Sequence, residues 1–145
     1  MSELKIYSIN ASEPAELPYA DDGVRAGFPS PAQDFMSEAI DLNRDLVTHP
    51  ESTFYARVEG DSMTGAGVFE GDILVVDKLI EACDGDMAVC VVDGEFTVKF
   101  LDLSGGRVTL RPANDAYAPI TVTEADRFDV WGVVTYVIHR VRRRR

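Results

Sequence analysis

Ser62 sits in Gly60-Asp61-Ser62-Met63, just beyond a strand-like run, and Lys99 lies further on in Glu95-Phe96-Thr97-Val98-Lys99-Phe100-Leu101. Brought together, a hydroxyl and an amine make a nucleophile and its base. The chain has two histidines, His49 and His139, and neither stands in a Ser-His-Asp pattern, so serine chemistry here points to an amine base. Ser-Lys pairs are an established variant of that arrangement. Gly60 and Gly65 flank the serine. A turn there would present the hydroxyl with backbone N–H groups close by, which is how an oxyanion hole is built. To act as a base the lysine must be neutral, which means lowering its pKa from about 10.4 towards roughly 7, a bias of about 4 to 5 kcal/mol. Burial is the usual means. Strand alternation puts Phe96, Val98 and Phe100 on one face and Thr97, Lys99 and Leu101 on the other, so Lys99 need not point into water.

The elements that must hold this pair are mostly β. Phe54 to Val58 reads as a short strand, and Ile73 to Val76 as another after the Gly71-Asp72 turn. Met87 to Val92 faces Glu95 to Leu101 across Asp93-Gly94. Asp-Gly between apolar runs predicts a tight hairpin, because both turn positions take positive φ. Arg107 to Arg111 follows Gly105-Gly106, and Asp129 to Val141 predicts a long last strand with an irregularity at Gly132. Upstream, Phe35, Met36, Ile40, Leu42 and Leu46 predict one amphipathic helix from Pro31 to Leu46, with Ser30 as N-cap and His49-Pro50 ending it. Residues 1 to about 34 lack hydrophobic periodicity and hold Pro14, Pro18, Asp21-Asp22-Gly23 and Phe28-Pro29-Ser30-Pro31. They read as an extended, mobile arm. The expected fold class is mainly β: antiparallel sheets with an N-terminal arm and one short helix.

Composition bounds the rest. With 145 residues and 46% hydrophobic content, one globular domain plus the arm is expected. No apolar run approaches the roughly 20 residues that span a bilayer, and Met1 to Asn10 has no signal-peptide apolar region. A cytoplasmic protein is the expectation. The net charge is −11, yet Arg140, Arg142, Arg143, Arg144 and Arg145 crowd the end. Without those five, 9 basic residues face 25 acidic ones, a balance of −16. Such a body should repel a phosphate backbone, which argues against sequence-specific DNA binding, while the tail reads equally as a solubilising end or as a contact for a polyanion or a partner. Cys83 and Cys90 are spaced Cys-x6-Cys, which matches no common metal pattern. They read as reduced, structural cysteines, and neither a metal nor a cofactor is expected. Phe128, Trp131 and Tyr136 on the last strand read as core or dimer surface.

The order of several short motifs resembles the LexA/UmuD family of self-cleaving serine peptidases over nearly the whole chain. These are Gly27-Phe28-Pro29-Ser30-Pro31, Ile40-Asp41-Leu42-Asn43, Gly60-Asp61-Ser62-Met63, Gly71-Asp72, Val92-Asp93-Gly94-Glu95-Phe96-Thr97-Val98-Lys99, Asn114 with Ala116-Tyr117, Pro119-Ile120 and Gly132-Val133-Val134. The resemblance implies Ser62 as nucleophile, Lys99 as general base, and the amides of Asp61 and Ser62 in the oxyanion position. It implies a scissile bond between Ala26 and Gly27, dividing the chain into a cleavable arm, 1–26, and a peptidase and interaction domain, 27–145. Ala-Gly is the LexA-type junction; UmuD relatives carry Cys before the Gly, a change conservative in size.

The resemblance further implies cleavage stimulated by a RecA filament on single-stranded DNA in the SOS response. The processed form would be a homodimer serving a UmuC-type Y-family polymerase in translesion synthesis, with the sliding clamp a further candidate contact of the arm. Two alternatives stand beside it: a non-catalytic interaction module of the same fold, and a LexA-like repressor fragment. The 26 residues before the junction are too few for a repressor's DNA-binding domain.

Overall fold

A computed structural model of the chain describes residues 4–9, 14, 16–20 and 36–142. Two units emerge, Met1–Ile9 with His49–Arg145, and Asn10–Thr48. The first is built on β1 (Leu4–Ser8), β4 (Thr53–Val58), β5 (Ile73–Asp77), β6 (Met87–Val92), β7 (Glu95–Asp102), β8 (Thr109–Arg111), β9 (Ile120–Thr121) and β10 (Phe128–Ile138). These form an antiparallel sheet in the order β1-β4-β5-β10-β6-β7-β8-β9. The second unit holds β2 (Glu16–Ala20) paired with β3 (Met36–Asp41), and α1 (Leu42–Leu46). The mainly β, antiparallel class expected from the sequence is what the chain adopts.

The Asp93-Gly94 hairpin forms between β6 and β7, with Asp93 at φ 49° and Gly94 at φ 84°, the two positive values a tight primed turn requires. It is tied to the start of β10, because the Asp93 N–H donates to the Arg127 carbonyl and the Arg127 N–H donates to Asp93 Oδ1. β10 shifts register between Val130 and Gly132, the irregularity expected there, and again between Val134 and Tyr136. A Cβ at Gly132 would lie 2.7 Å from Val76 Cγ1, so the close approach of β10 to β5 needs glycine. Alternation along the strands divides the core into two clusters. One gathers Leu4, Ala56, Met63, Leu74, Val76, Val89 and Val98; the other gathers Ala88, Cys90, Leu101 and Leu110. Phe54 and Phe96 pack on Trp131, which is part-buried core, whereas Tyr136 is exposed.

Four expectations are corrected. The predicted helix from Pro31 to Leu46 is strand β3 over Met36–Asp41 followed by a helix of five residues, Leu42–Leu46. The Asp41 side chain accepts from the Asn43 and Arg44 amides, so it caps a helix start at the point where the prediction ran helix straight through. Ser30 and Pro31 lie outside the described residues. Second, part of the arm is paired structure. Leu4–Ser8 is the edge strand beside β4, with Leu4 buried in the first cluster, and Glu16–Ala20 pairs with β3. Third, Cys83 is exposed and only Cys90 is a core residue, with burial pushing its thiol up to about 12. The last strand ends at Ile138, three residues short of the expected Val141. No helix among the described residues is long and apolar enough to cross a membrane.

Both histidines serve the ends of β5. His139 Nδ1 lies 2.5 Å from Asp72 Oδ1, before the strand begins. His49, expected only as a helix-end residue, places Nδ1 2.6 Å from Asp77 Oδ2 at its close, where Asp77 also accepts from Ser52 Oγ and the Leu79 amide. Burial pushes the Asp77 carboxyl up, but the bonds from His49, Leu79 and Ser52 outweigh it and hold the carboxyl below its usual range. A depressed carboxyl stabilises the fold above its unfolded pKa of about 3.9, and that contribution disappears as pH falls through the lower folded value. Asp77→Asn should therefore cost about 2 kcal/mol at pH 7. In thermal melts the gap to wild type should narrow below pH 4.

Candidate active site

The turn carrying Ser62 is fixed from both sides. β4 ends at Val58, whose N–H donates to the Asp72 carbonyl while the Gly71 N–H donates back to Val58. Gly60, at φ 100°, then reverses the chain into Asp61-Ser62-Met63. Met63 is 1% exposed and belongs to the first core cluster, and its carbonyl accepts from the Ala66 and Val68 amides. The residue after the serine is thus a hydrophobic anchor. On the other side lies the segment 113–117. The Ala113 N–H donates to the Ser62 carbonyl at 2.9 Å, and the Gly65 N–H donates to the Ala113 carbonyl at 2.6 Å. A Cβ on Gly65 would lie 2.5 Å from that oxygen, so only glycine lets the two backbones meet.

Lys99 comes from the middle of β7, opposite Ala88 on β6. Its Nζ donates to Ser62 Oγ at 3.0 Å and to Thr97 Oγ1 at 2.7 Å. Ser62 is 4% exposed and Lys99 3%. The predicted pair is therefore brought together and buried, and Thr97 shares the Lys99 face as strand alternation requires. A groove of 520 Å³ runs past this point, lined by Glu95, Phe96, Thr97, Lys99, Tyr117 and Ile120 among others.

Asp61 precedes the serine, but its carboxylate is engaged elsewhere: Tyr117 donates its phenol hydrogen to Asp61 Oδ1 at 2.5 Å. The Asp61 carbonyl accepts from Asn114 Nδ2 at 2.8 Å. His49 and His139 bond Asp77 and Asp72 and do not enter the site. Ala26 and Gly27 lie outside the described residues. Sequence reasoning did not assign Thr97 or the 113–117 segment a part in the site. The signal was there, since Thr97 stands two residues from Lys99 on the same strand face and Asn114 with Tyr117 belongs to the ordered motifs.

Comparison with known proteins bears on what this arrangement is for. The Peptidase S24-like family model matches residues 18–135. Protein SamA of Salmonella typhimurium is 44% identical over 117 residues, covering 81% of each chain. Protein MucA of Escherichia coli is 37% identical over 131 residues, 89% of this chain and 88% of its own. The LexA repressor of Syntrophotalea carbinolica is 40% identical over 127 residues, 88% of this chain and 61% of its own. The family match covers most of the chain and takes in both the Ser62 turn and the Lys99 strand; the chain belongs to the Peptidase S24-like family, that of LexA and UmuD.

Proposed function

We propose that the chain is a serine endopeptidase that cuts its own Ala26–Gly27 bond. The observation that carries this is the buried contact of 3.0 Å between Lys99 Nζ and Ser62 Oγ, in a chain of a peptidase family. With the amine neutral, the same contact reverses direction and the serine O–H donates to Nζ. Ser62 Oγ attacks the Ala26 carbonyl carbon as its proton passes to Lys99. The amides of Asp61 and Ser62 receive the developing oxyanion. Collapse expels the Gly27 amine, which takes the proton back from Lys99, and leaves an ester between Ser62 and Ala26. A water molecule, deprotonated by Lys99, hydrolyses the ester and frees the serine.

Thr97 Oγ1 accepts a second bond from Nζ and limits where the amine can sit. Taking an amine out of water costs several kcal/mol. A fold kept only for interaction has no use for that cost, which favours catalysis over the non-catalytic module. The small residues at the junction, Ala26 and Gly27, suit close approach of the scissile carbonyl to a buried hydroxyl.

Membership of the family supports a biological role in the SOS response. A RecA filament on single-stranded DNA stimulates the cut during the SOS response in the cytoplasm. The product, residues 27–145, acts as a homodimeric accessory subunit of a UmuC-type Y-family polymerase in translesion synthesis. Cleavage then changes an interaction surface and degrades no other protein. The test is incubation of the full chain at alkaline pH, or with RecA, nucleotide and single-stranded DNA, followed by intact mass. One fragment beginning at Gly27 is expected under both conditions.

A further inference from the structure

The peptide unit between Asp61 and Ser62 is the one whose N–H would face the oxyanion, and its other end is held by a side chain that no catalytic scheme above uses. Asn114 Nδ2 donates to the Asp61 carbonyl oxygen at 2.8 Å. The peptide bond is planar, and no cis bond occurs among the described residues, so the carbonyl and the Ser62 N–H point in opposite directions from one rigid plate. Fixing the carbonyl fixes the N–H. The Asp61 side chain is fixed as well, by the Tyr117 hydroxyl at 2.5 Å. Asn114 is in turn oriented by its own Oδ1, which accepts from the Ala116 amide at 2.9 Å, and the Tyr117 amide donates to the Asn114 carbonyl at 3.0 Å. The same strap bonds the Ser62 carbonyl through the Ala113 amide.

From this we infer that Asn114, supported by Tyr117, is a positioning residue for the oxyanion hole, setting the direction of the Ser62 amide before substrate arrives. The inference rests on the reading of Ser62 as nucleophile. Its chemistry is preorganisation: a donor that must turn to meet the oxyanion is worth less than one already aimed. The amide group of Asn114 divides the labour, Oδ1 shaping the strap and Nδ2 aiming the peptide. That division makes the role separable from mere structure.

Asn114→Asp retains an oxygen for the Ala116 amide but sets a second acceptor against the Asp61 carbonyl. Full-length Asn114→Asp should cut itself about 30-fold more slowly than wild type, short of the roughly 10²- to 10³-fold that outright loss of an oxyanion donor costs. The loss should be the same factor at every pH, because Lys99 is untouched, and the melting temperature should stay close to wild type. Tyr117→Phe, which keeps the ring in the groove, should slow cleavage by about threefold to tenfold, a partial loss of the same stabilisation. Wild-type rates in Asn114→Asp, or a loss confined to one end of the pH range, would overturn the inference while leaving the Ser62 reading intact. Should Asn114→Asp fail to fold, Tyr117→Phe decides alone, and an unchanged rate there overturns the inference. A wild-type chain that does not cut, or a Ser62→Ala chain that does, overturns both.

Discussion

Replacing either Ser62 or Lys99 by alanine is expected to lower self-cleavage by at least about 10³-fold, and replacing both is expected to lower it no further. The two side chains act as a unit: without the hydroxyl there is nothing to attack the carbonyl, and without the amine the hydroxyl keeps its proton. Lys99→Arg should fail almost as completely, since a guanidinium does not give up its proton in a protein and cannot serve as base. The fold should survive each change. Ser62 contributes its hydroxyl to the Lys99 contact, whereas its backbone carbonyl, which bonds Ala113, is kept in the alanine variant. First-order rate constants from intact mass, with melting temperatures alongside, check the whole set. Cleavage of Lys99→Ala at a wild-type rate would remove the lysine from the mechanism.

The second large effect is on pH. Only an unprotonated amine can take the serine proton, so the cleavage rate should climb with pH, by up to about tenfold per unit, and level off once Lys99 is neutral. Other titrations leave the interpretation clean. The Cys90 thiol, pushed up to about 12 by burial, stays neutral throughout. Asp77 and Asp102, both held below the usual carboxylate range, stay ionised. Asp102, the last residue of β7, owes this to its bonds from Ser104 on the following turn and from Arg111 on β8. Cys83 is exposed and should be kept reduced. A flat profile, or a rate that falls with rising pH, would contradict an amine base.

Much of the peptidase unit was legible because its strands carry strong local signals. Asp93-Gly94 has turn chemistry with a single good solution, and the β6 and β7 limits followed from it. Glycine at position 132 marked the bulge because a side chain there would strike Val76. The face of β7 that buries Lys99 followed from period-two alternation, and Thr97 is the neighbour that alternation places beside it. The contact between Ser62 and Lys99 was a different matter. β5, β10 and β6 lie between β4 and β7 in the sheet, so no local pattern shows that the turn after β4 meets the β7 face. Only the ordered motifs of the family pointed there.

The misses have local causes too. Leu4-Lys5-Ile6-Tyr7-Ser8 alternates, but five residues beside prolines and acidic turns carry too little signal against an arm, and the pairing partner β4 lies far along the chain. Met36 to Asp41 has apolar residues that fit a helix face. Pairing with β2 overrides that fit, and the Asp41 side chain starts the helix only afterwards. Asn114 and Tyr117 sit in irregular chain, where periodicity says nothing about which backbone atoms a side chain will meet.

Self-cleavage at Ala26–Gly27 makes one chain both the peptidase and its substrate. N-terminal sequencing of the larger fragment, after the full chain is held at alkaline pH, tests it most directly. A single new terminus beginning Gly27-Phe28-Pro29, absent in Ser62→Ala, is the predicted result. An intact wild-type chain, or a terminus at any other bond, would contradict it.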